Sequence, residues 1–251
     1  DFTMRSVESF NSSRDFIACV MSFVIWSTML MVPLTKLHII SGSAGPAGFD
    51  DAIAVYTLLL RNFMLRKSRL FTPGPTPILP AAQRAMASAD MHHRTADFRS
   101  LYQKVLADLR TFVGTRNDVL LLASSGTGAM EAAVTNLTSP GERVLVITAG
   151  KFGERWRDLA KAFGCQVDLA EAPYGQTVLL DAIRAKLTPE TRVVFMQGTE
   201  SSTGARHDVE SVARLLKGSE TLLVVDAITG LGTTRIDVDG LGVDVIIGGS
   251  Q

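Results

Sequence analysis

The chain has 251 residues, of which 46% are hydrophobic and 7% are aromatic, and its formal net charge at pH 7 is +0. This composition is typical of a globular protein with one or two domains, and the lack of a basic excess argues against a nucleic-acid partner. The two cysteines, Cys19 and Cys165, provide neither a disulfide framework nor a zinc-binding pattern. We expect Cys165, which follows Gly164 at the end of a predicted helix, to be a small buried residue.

The first 63 residues differ in character from the rest of the chain. Residues 16–35 contain no charged side chain, and this stretch reaches the roughly 20 apolar residues that are needed to span a bilayer. Residues 41–48 are rich in glycine, serine and alanine, which is typical of a linker. Three interpretations are open: a membrane anchor, a targeting segment, or upstream sequence translated with the gene, with the true start at Met64.

Two short segments precede the first predicted strand. The prolines of residues 71–77 hold the chain extended without sheet pairing, although a rigid linker would have the same character. Residues 92–98 begin with two adjacent histidines, His92 and His93. A metal site is disfavoured here because adjacent histidines point in different directions and no third ligand is nearby, so no metal is predicted.

Short apolar runs alternate with helical patterns after these segments. Each run is too short for a helix and continuously apolar, as strands covered on both faces are; the runs are residues 119–122, 144–147, 193–196, 222–225 and 243–247. Helices are predicted between them, over residues 127–137, 152–163, 179–187 and 208–216. Thr127 and Asp208 are expected to cap two of these helices, and Gly164 to end another. The predicted fold is therefore α/β, with a mainly parallel sheet flanked by helices.

Ligands of such sheets bind beyond the carboxyl ends of the strands, and the segment after the first strand is suited to an anion. Residues 123–133 place small residues, including Ser125, Gly126 and Thr127, at a helix start whose first N–H groups lack intrahelical partners. A dinucleotide-binding loop fails on spacing, because Glu131 stands where a third glycine is required. An ordinary capped helix remains the alternative.

The later strands are each followed by residues with functional potential. Phe152 is either a core aromatic or a surface for a flat conjugated ring. Glu200, in the loop after the third strand, is expected to be solvated or locally hydrogen-bonded. Asp226 ends the fourth strand, where a buried acid is costly unless it is paired. Asp244 opens the fifth strand at the other end of the sheet and is expected to be structural.

Together these segments resemble the pyridoxal-phosphate (PLP) enzymes of fold type I. The closest resemblance is to class V aminotransferases of the alanine/serine–glyoxylate type, and it covers about residues 69–251. It implies a large PLP-binding domain that is incomplete at its C-terminus. Cysteine desulfurases share the fold but have a histidine where this chain has Gln251, and phosphoserine aminotransferases remain an alternative that fits the segments less well.

The resemblance assigns roles around a pyridoxal 5'-phosphate cofactor. The residues implied to contact it are the phosphate-binding Ser125, Gly126, Thr127 and Gln251, the ring-stacking Phe152, Ser201 at the phenolic oxygen, and Asp226 at the pyridine nitrogen. Asp226 would keep that nitrogen protonated, so that the ring accepts electrons from the substrate. A hydroxyl such as that of Ser201 can donate to the phenolic oxygen without carrying charge.

The resemblance also places residues at the rim of the site. The arm containing Pro73 and Gly74 would lie at the site mouth near a second subunit, so a homodimer is expected, and His93 and Arg94 would line the entrance. The implied substrates are small amino acids and 2-oxo acids. The residue after Gln251 would be the lysine that binds the cofactor covalently, and the arginine for the substrate carboxylate would lie beyond this chain.

The resemblance begins just after Met64, and for this reason we favour upstream translation as the origin of residues 1–63. Residues 64–251 are then the N-terminal arm and a partial large domain of a cytoplasmic protein, and a membrane is involved only if residues 16–35 are a genuine anchor. The expected function is transfer of an amino group from alanine or serine to glyoxylate or pyruvate, the chain as given being inactive without the lysine. The alternative is a degenerate or membrane-tethered module that binds a ligand or a partner without catalysis, and the residue encoded after Gln251 would distinguish the two.

Overall fold

The computed structural model describes the backbone of Ala18–Ser22 and residues 70–88 and 90–250. Residues 70–77 belong to one compact unit, and the remaining described residues belong to another. The predicted boundary at Met64 lies outside the described residues and stays a prediction. No helix among the residues described is long and apolar enough to cross a bilayer.

A seven-stranded sheet forms the centre of the larger unit. Its strands are β1 (Ala18–Ser22), β2 (Val119–Leu122), β3 (Arg143–Thr148), β4 (Gln166–Glu171), β5 (Thr191–Gln197), β8 (Leu222–Asp226) and β9 (Val245–Gly249). They follow the order β2-β1-β9-β8-β5-β3-β4, and all neighbouring pairs are parallel. A separate antiparallel pair joins β6 (Thr199–Glu200) to β7 (Ala205–Arg206).

Helices cover both faces of this sheet. They are α1 (Pro80–Met86), α2 (Ala96–Val113), α3 (Gly126–Leu137), α4 (Lys151–Ala162), α5 (Leu180–Arg184), α6 (Val209–Leu216) and α7 (Val238–Leu241). One core cluster packs α3 and α4 against the sheet, with Trp156 stacked on Phe195 at 4.6 Å between ring centroids. A second cluster packs α2, α6 and α7 on the sheet. Two separate cores, one on each face of the sheet, explain why strands such as β3 and β5 are apolar along nearly their whole length.

The predicted α/β fold with a mainly parallel sheet is confirmed. β2 has the predicted bounds, and the other predicted strands differ by one or two residues at their ends. Asp208 caps α6 as predicted, by accepting a hydrogen bond from the N–H of Ser211 at 3.0 Å. Cys165 is a free, buried cysteine, as expected.

Two strands of the sheet do not appear among the predicted ones. β4 is an edge strand in which only Ala170 is fully buried. It was not predicted because its polar and apolar residues alternate and do not form a continuous apolar run. β1 comes from within residues 1–63, which were expected to precede the fold, and its backbone pairs with both β2 and β9. The described part of the apolar N-terminal stretch is thus an interior strand of the sheet, next to the edge strand β2.

Candidate functional site

The carboxyl ends of the parallel strands meet at one edge of the sheet. β5 and β8 are in register there, with Gln197 opposite Asp226, and Asp226 is in turn opposite Ile247 of β9. The predicted site residues after β2, β3, β5 and β8 therefore follow strand ends on the same edge, as the sequence pattern requires.

The amino end of α3 lies at this edge, directly after the loop that follows β2. The helix begins at Gly126, and Ser125 is its N-cap, since its hydroxyl accepts a hydrogen bond from the N–H of Gly128 at 3.3 Å. The prediction that Thr127 caps the helix is wrong, because the extended backbone of Ser125 already places a hydroxyl at the cap and Thr127 lies inside the first turn. The side chain of Thr127 is consequently available for other contacts.

Gly126 is the point at which α3 meets the loop after β8. A Cβ at this position would overlap the Cδ1 atom of Ile228, two residues after Asp226. Ile228 also lies close to Gly249 at the end of β9, where a Cβ would be 3.4 Å from its Cγ2 atom. Close packing around Ile228 therefore holds the amino end of α3 against the strand end that carries Asp226.

Glu200 caps the second helix of the site from a distant part of the chain. The N-cap position of α4 is Gly150, which has no side chain to offer. Instead Oε2 of Glu200 accepts hydrogen bonds from the N–H groups of Phe152 and Gly153, both at 3.1 Å, while Ser202 donates its hydroxyl to Oε1 at 2.6 Å. Glu200 is fully buried, so the expectation of a solvated acid is wrong, whereas the expected local hydrogen bonding is confirmed by its contacts with Ser202.

The signal for this cap was present in the sequence but indirect. A helix that begins with glycine, lysine, phenylalanine and glycine offers no short polar side chain for its own N–H groups, so a partner must come from elsewhere. Nothing in the chain order indicates that the partner lies 47 residues away from Gly153. Phe152, the second residue of α4, is thus held at the helix start by its hydrogen bond to Glu200.

Asp226 is a buried carboxylic acid at the centre of the edge. Its side chain is 5% exposed, and burial raises its pKa to about 6. The N–H of Ile228 donates to Oδ1 at 3.0 Å and opposes this increase, nearby Glu200 adds to it, and Arg155 opposes it. A cation placed beside this carboxylate would favour its ionised form.

Arg155 connects three of the predicted site residues, and sequence reasoning missed it. Its Nη1 atom donates to the hydroxyl oxygen of Thr127 at 2.9 Å, and its guanidinium carbon lies 4.7 Å from the ring centroid of Phe152. It also lies within electrostatic range of Asp226. The structure therefore brings Thr127 and Phe152 together at this arginine, and Asp226 interacts with it only over a longer range. The available signal was its position three residues after Phe152, which puts both side chains on one face of α4.

Ser201 is half-buried beside Glu200, and its hydroxyl makes no hydrogen bond within the described residues. Such a hydroxyl is free to donate to a ligand. Gln251, the remaining predicted phosphate ligand, lies outside the described residues.

The predicted rim residues lie on the surface of the units to which they belong. Pro73 and Gly74 are exposed and belong to the separate unit. His93 and Arg94 are exposed ahead of α2. The rings of His92 and His93 are stacked, 5.1 Å apart and 7° from parallel, so the expectation that they point in different directions is wrong. No group of potential metal ligands exists in the part of the chain that the structure describes.

The arrangement fits the chemistry of pyridoxal phosphate. The N–H groups of the first turn of α3, where the helix dipole is positive, and the hydroxyl of Thr127 suit a phosphate. Phe152 offers a face for a flat ring. Asp226, which is buried and accepts one hydrogen bond among the described residues, suits the protonated nitrogen of a pyridine ring.

Comparison with known proteins agrees with this chemistry. The family model "Aminotransferase class-V" matches residues 81–251. The soluble hydrogenase 42 kDa subunit of Anabaena cylindrica is 40% identical over 190 residues, which are 74% of this chain and 50% of that protein. The L-aspartate–glyoxylate aminotransferase of Paracoccus denitrificans is 33% identical over 195 residues, 75% of this chain and 49% of that protein.

A solved structure gives the same result. The crystal structure of alanine–glyoxylate aminotransferase from Nostoc sp. has a TM-score of 0.67 and 32% sequence identity, and the match covers 74% of this chain and 51% of that one. The chain therefore spans about half the length of the relatives that it matches.

Proposed function

The chain belongs to the class-V aminotransferase family, and from this premise we propose that its protein is a pyridoxal-phosphate-dependent aminotransferase. The amino group would move from a small amino acid of the alanine or serine type to a 2-oxo acid such as glyoxylate or pyruvate. The observation that carries this proposal is Asp226, a buried carboxylate on the same sheet edge as the amino end of α3 and the half-buried ring of Phe152.

When bound, pyridoxal phosphate supplies a protonated pyridine ring that takes up the electrons left when the substrate loses its α-proton. The role of Asp226 is to hold the proton on the ring nitrogen. With a pKa of about 6 in the protein alone, its carboxyl group is mostly ionised at neutral pH. A pyridinium beside it would lower that pKa and fix the carboxylate in its charged form.

The other residues bind and orient the cofactor. The N–H groups at the start of α3 and the hydroxyl of Thr127 hold its phosphate, and Phe152 covers one face of its ring and excludes water from that face. Ser201 donates to the phenolic oxygen without adding charge. Gln251 would complete the phosphate contacts, and Pro73, Gly74, His93 and Arg94 would lie at the rim of the completed site.

The relatives agree on the amino acceptor but not on the amino donor. Glyoxylate is named in the Paracoccus and Nostoc proteins, whereas the donors named there are aspartate and alanine. The resemblance of the sequence segments to the alanine/serine–glyoxylate group supports a small donor. By the same resemblance we propose that the whole protein is a cytoplasmic homodimer, which light scattering and cell fractionation would test.

Amino transfer itself is the test. Protein extended by the coding sequence that follows Gln251 is loaded with pyridoxal phosphate and supplied with alanine or serine, each with glyoxylate. We expect glycine to form together with pyruvate or hydroxypyruvate. Cofactor binding without amino transfer from any small donor would contradict the proposal and favour the non-catalytic module.

A further inference from the structure

Arg155 is held in one place between the two helices of the site. Its guanidinium donates to the hydroxyl oxygen of Thr127 on α3 at 2.9 Å and lies over the ring of Phe152, 4.7 Å from the ring centroid. Both contacts use the face of α4 that is turned toward α3. The arginine is half-buried, so its long side chain is already ordered before any ligand binds. Less conformational entropy is then lost when a ligand makes further contacts to it.

The charge of Arg155 lacks a counter-ion within the described part of the chain. Arg157, on the same helix, forms an ion pair with Asp158 at 2.8 Å. In an ion pair the nitrogen and oxygen atoms are at most 4.0 Å apart, and no carboxylate oxygen among residues 70–88 and 90–250 lies that close to the guanidinium of Arg155. Its effect on the pKa of Asp226 is a longer-range interaction.

The position of this cation is unfavourable unless an anion is present. Thr127 is in the first turn of α3, so the guanidinium lies beside the positive end of the helix dipole and beside N–H groups that lack intrahelical partners. A cation at a helix amino end raises the energy of the folded protein, while an anion between them would stabilise both.

The hydrogen bond to Thr127 also fixes the direction of its hydroxyl. The oxygen accepts from Arg155, and its own proton remains available for a second oxygen atom. Four of the five guanidinium N–H donors are likewise not used by described residues. Two neighbouring side chains thus offer donors next to a helix amino end.

We propose that Arg155 binds the anionic group held at the amino end of α3, as a direct ligand that also orients the hydroxyl of Thr127. The inference rests on the proposed function in taking that group to be the phosphate of the cofactor. Arg155 brings one formal positive charge to this phosphate site, whereas the N–H groups of the helix end and the hydroxyls are uncharged donors. The cation–π contact with Phe152 places the same guanidinium next to the aromatic side chain proposed to bind the cofactor ring.

Binding measurements on the full chain test this role without any turnover. The probes are pyridoxamine 5'-phosphate, pyridoxamine and inorganic phosphate, measured by isothermal titration calorimetry; the amine forms of the cofactor avoid covalent reaction with surface lysines. The variants are Arg155→Gln and Arg155→Lys, and Arg157→Gln on the same helix is the matched control. Circular dichroism and the midpoint of urea unfolding establish that each variant is folded.

We expect Arg155→Gln to weaken binding of pyridoxamine 5'-phosphate by about 10- to 100-fold, the loss typical of a charge-assisted hydrogen bond. The affinity for pyridoxamine, which has no phosphate, should be unchanged. Arg155→Lys should retain part of the affinity, because it keeps the charge but loses the planar fork of donors. Arg157→Gln should bind both probes as the parent chain does.

Equal losses for pyridoxamine 5'-phosphate and pyridoxamine in Arg155→Gln would overturn the inference, since they would indicate a structural or ring-stacking role. Unchanged affinities would overturn it as well and leave the proposed cofactor intact. Phosphate binding that depends on Arg155, in a chain with no affinity for the phosphorylated cofactor, would support the inference and contradict the proposed function. Failure of the folded parent chain to bind any of the three probes would overturn both.

Discussion

Replacing Asp226 by asparagine should stabilise the cofactor-free chain at neutral pH. Burial raises the pKa of this carboxyl group from its ordinary value of 3.8 to about 6 in the folded protein. The difference means that ionisation of Asp226 opposes folding by about 3 kcal/mol once the pH is well above 6. Asparagine has the same shape and keeps an oxygen for the N–H of Ile228, so the variant removes the charge and little else.

The sign of the pH dependence follows from the raised pKa. Below pH 3.8 the group is protonated in both the folded and the unfolded chain, and its stabilising contribution is complete. Between 3.8 and about 6 the folded chain binds more protons than the unfolded chain, so stability falls as the pH rises. The contribution is lost once the pH has passed the folded-state value of about 6.

Urea unfolding of the parent chain and of Asp226→Asn at two pH values measures this effect. Other titrating groups cancel in the difference between the two proteins. We expect the parent to lose about 1.4 kcal/mol relative to the variant between about pH 5 and about pH 8. A variant that is no more stable than the parent at the higher pH, with the same pH dependence, would refute the assignment of Asp226 as a desolvated acid.

Two further substitutions test how the site is built. Gly126→Ala should destabilise the chain by about 0.5–1.5 kcal/mol, because the new methyl group overlaps the terminal Cδ1 atom of Ile228 and the isoleucine must leave its preferred rotamer. Ile228→Ala in the same chain should recover part of the loss, and an unchanged urea midpoint for Gly126→Ala would contradict this packing. Glu200→Gln should lower the free energy of unfolding by about 1–3 kcal/mol. Both carboxylate oxygens accept hydrogen bonds from backbone N–H groups, and the NH₂ group of glutamine would replace one of these acceptors with a donor. The exposed Glu210→Gln is its control in the same unfolding experiment, and equal effects of the two would show that Glu200 is not the cap of α4.

The sheet could be predicted from the sequence because its central strands are apolar on both faces. β3 and β5 are buried along nearly their whole length, and only such strands produce continuous apolar runs. β4 lies at the sheet edge with one face partly open, and its alternating pattern is weaker. β1 was missed for another reason, since its segment has the composition of a membrane span and only its pairing with β2 and β9 reveals a strand.

The location of the site followed from the sheet, while its internal contacts did not. Parallel strands bring their carboxyl ends to one edge, so Thr127, Phe152 and Asp226 could be placed near each other from chain order alone. The roles of Arg155 and Glu200 depend on contacts between segments far apart in sequence, at separations of 28 and 47 residues. Local patterns such as helix periodicity and capping preference carry no information at that distance.

The central claim is that Asp226 is the charge partner of a pyridine ring nitrogen during amino transfer. Its most direct test is steady-state turnover of Asp226→Ala and Thr127→Ala in the protein extended beyond Gln251, with saturating pyridoxal phosphate, alanine and glyoxylate. Loss of the partner of a buried cation costs on the order of 3–5 kcal/mol, and we expect Asp226→Ala to lose at least about 100-fold in turnover. Thr127→Ala removes one of several donors to a phosphate that the helix end and Arg155 also hold, so with saturating cofactor we expect a loss of turnover of only roughly fivefold, or about 1 kcal/mol. Near-parental turnover of Asp226→Ala alongside a larger loss for Thr127→Ala would contradict the claim and leave Asp226 as a residue that only stabilises the turn to Ile228.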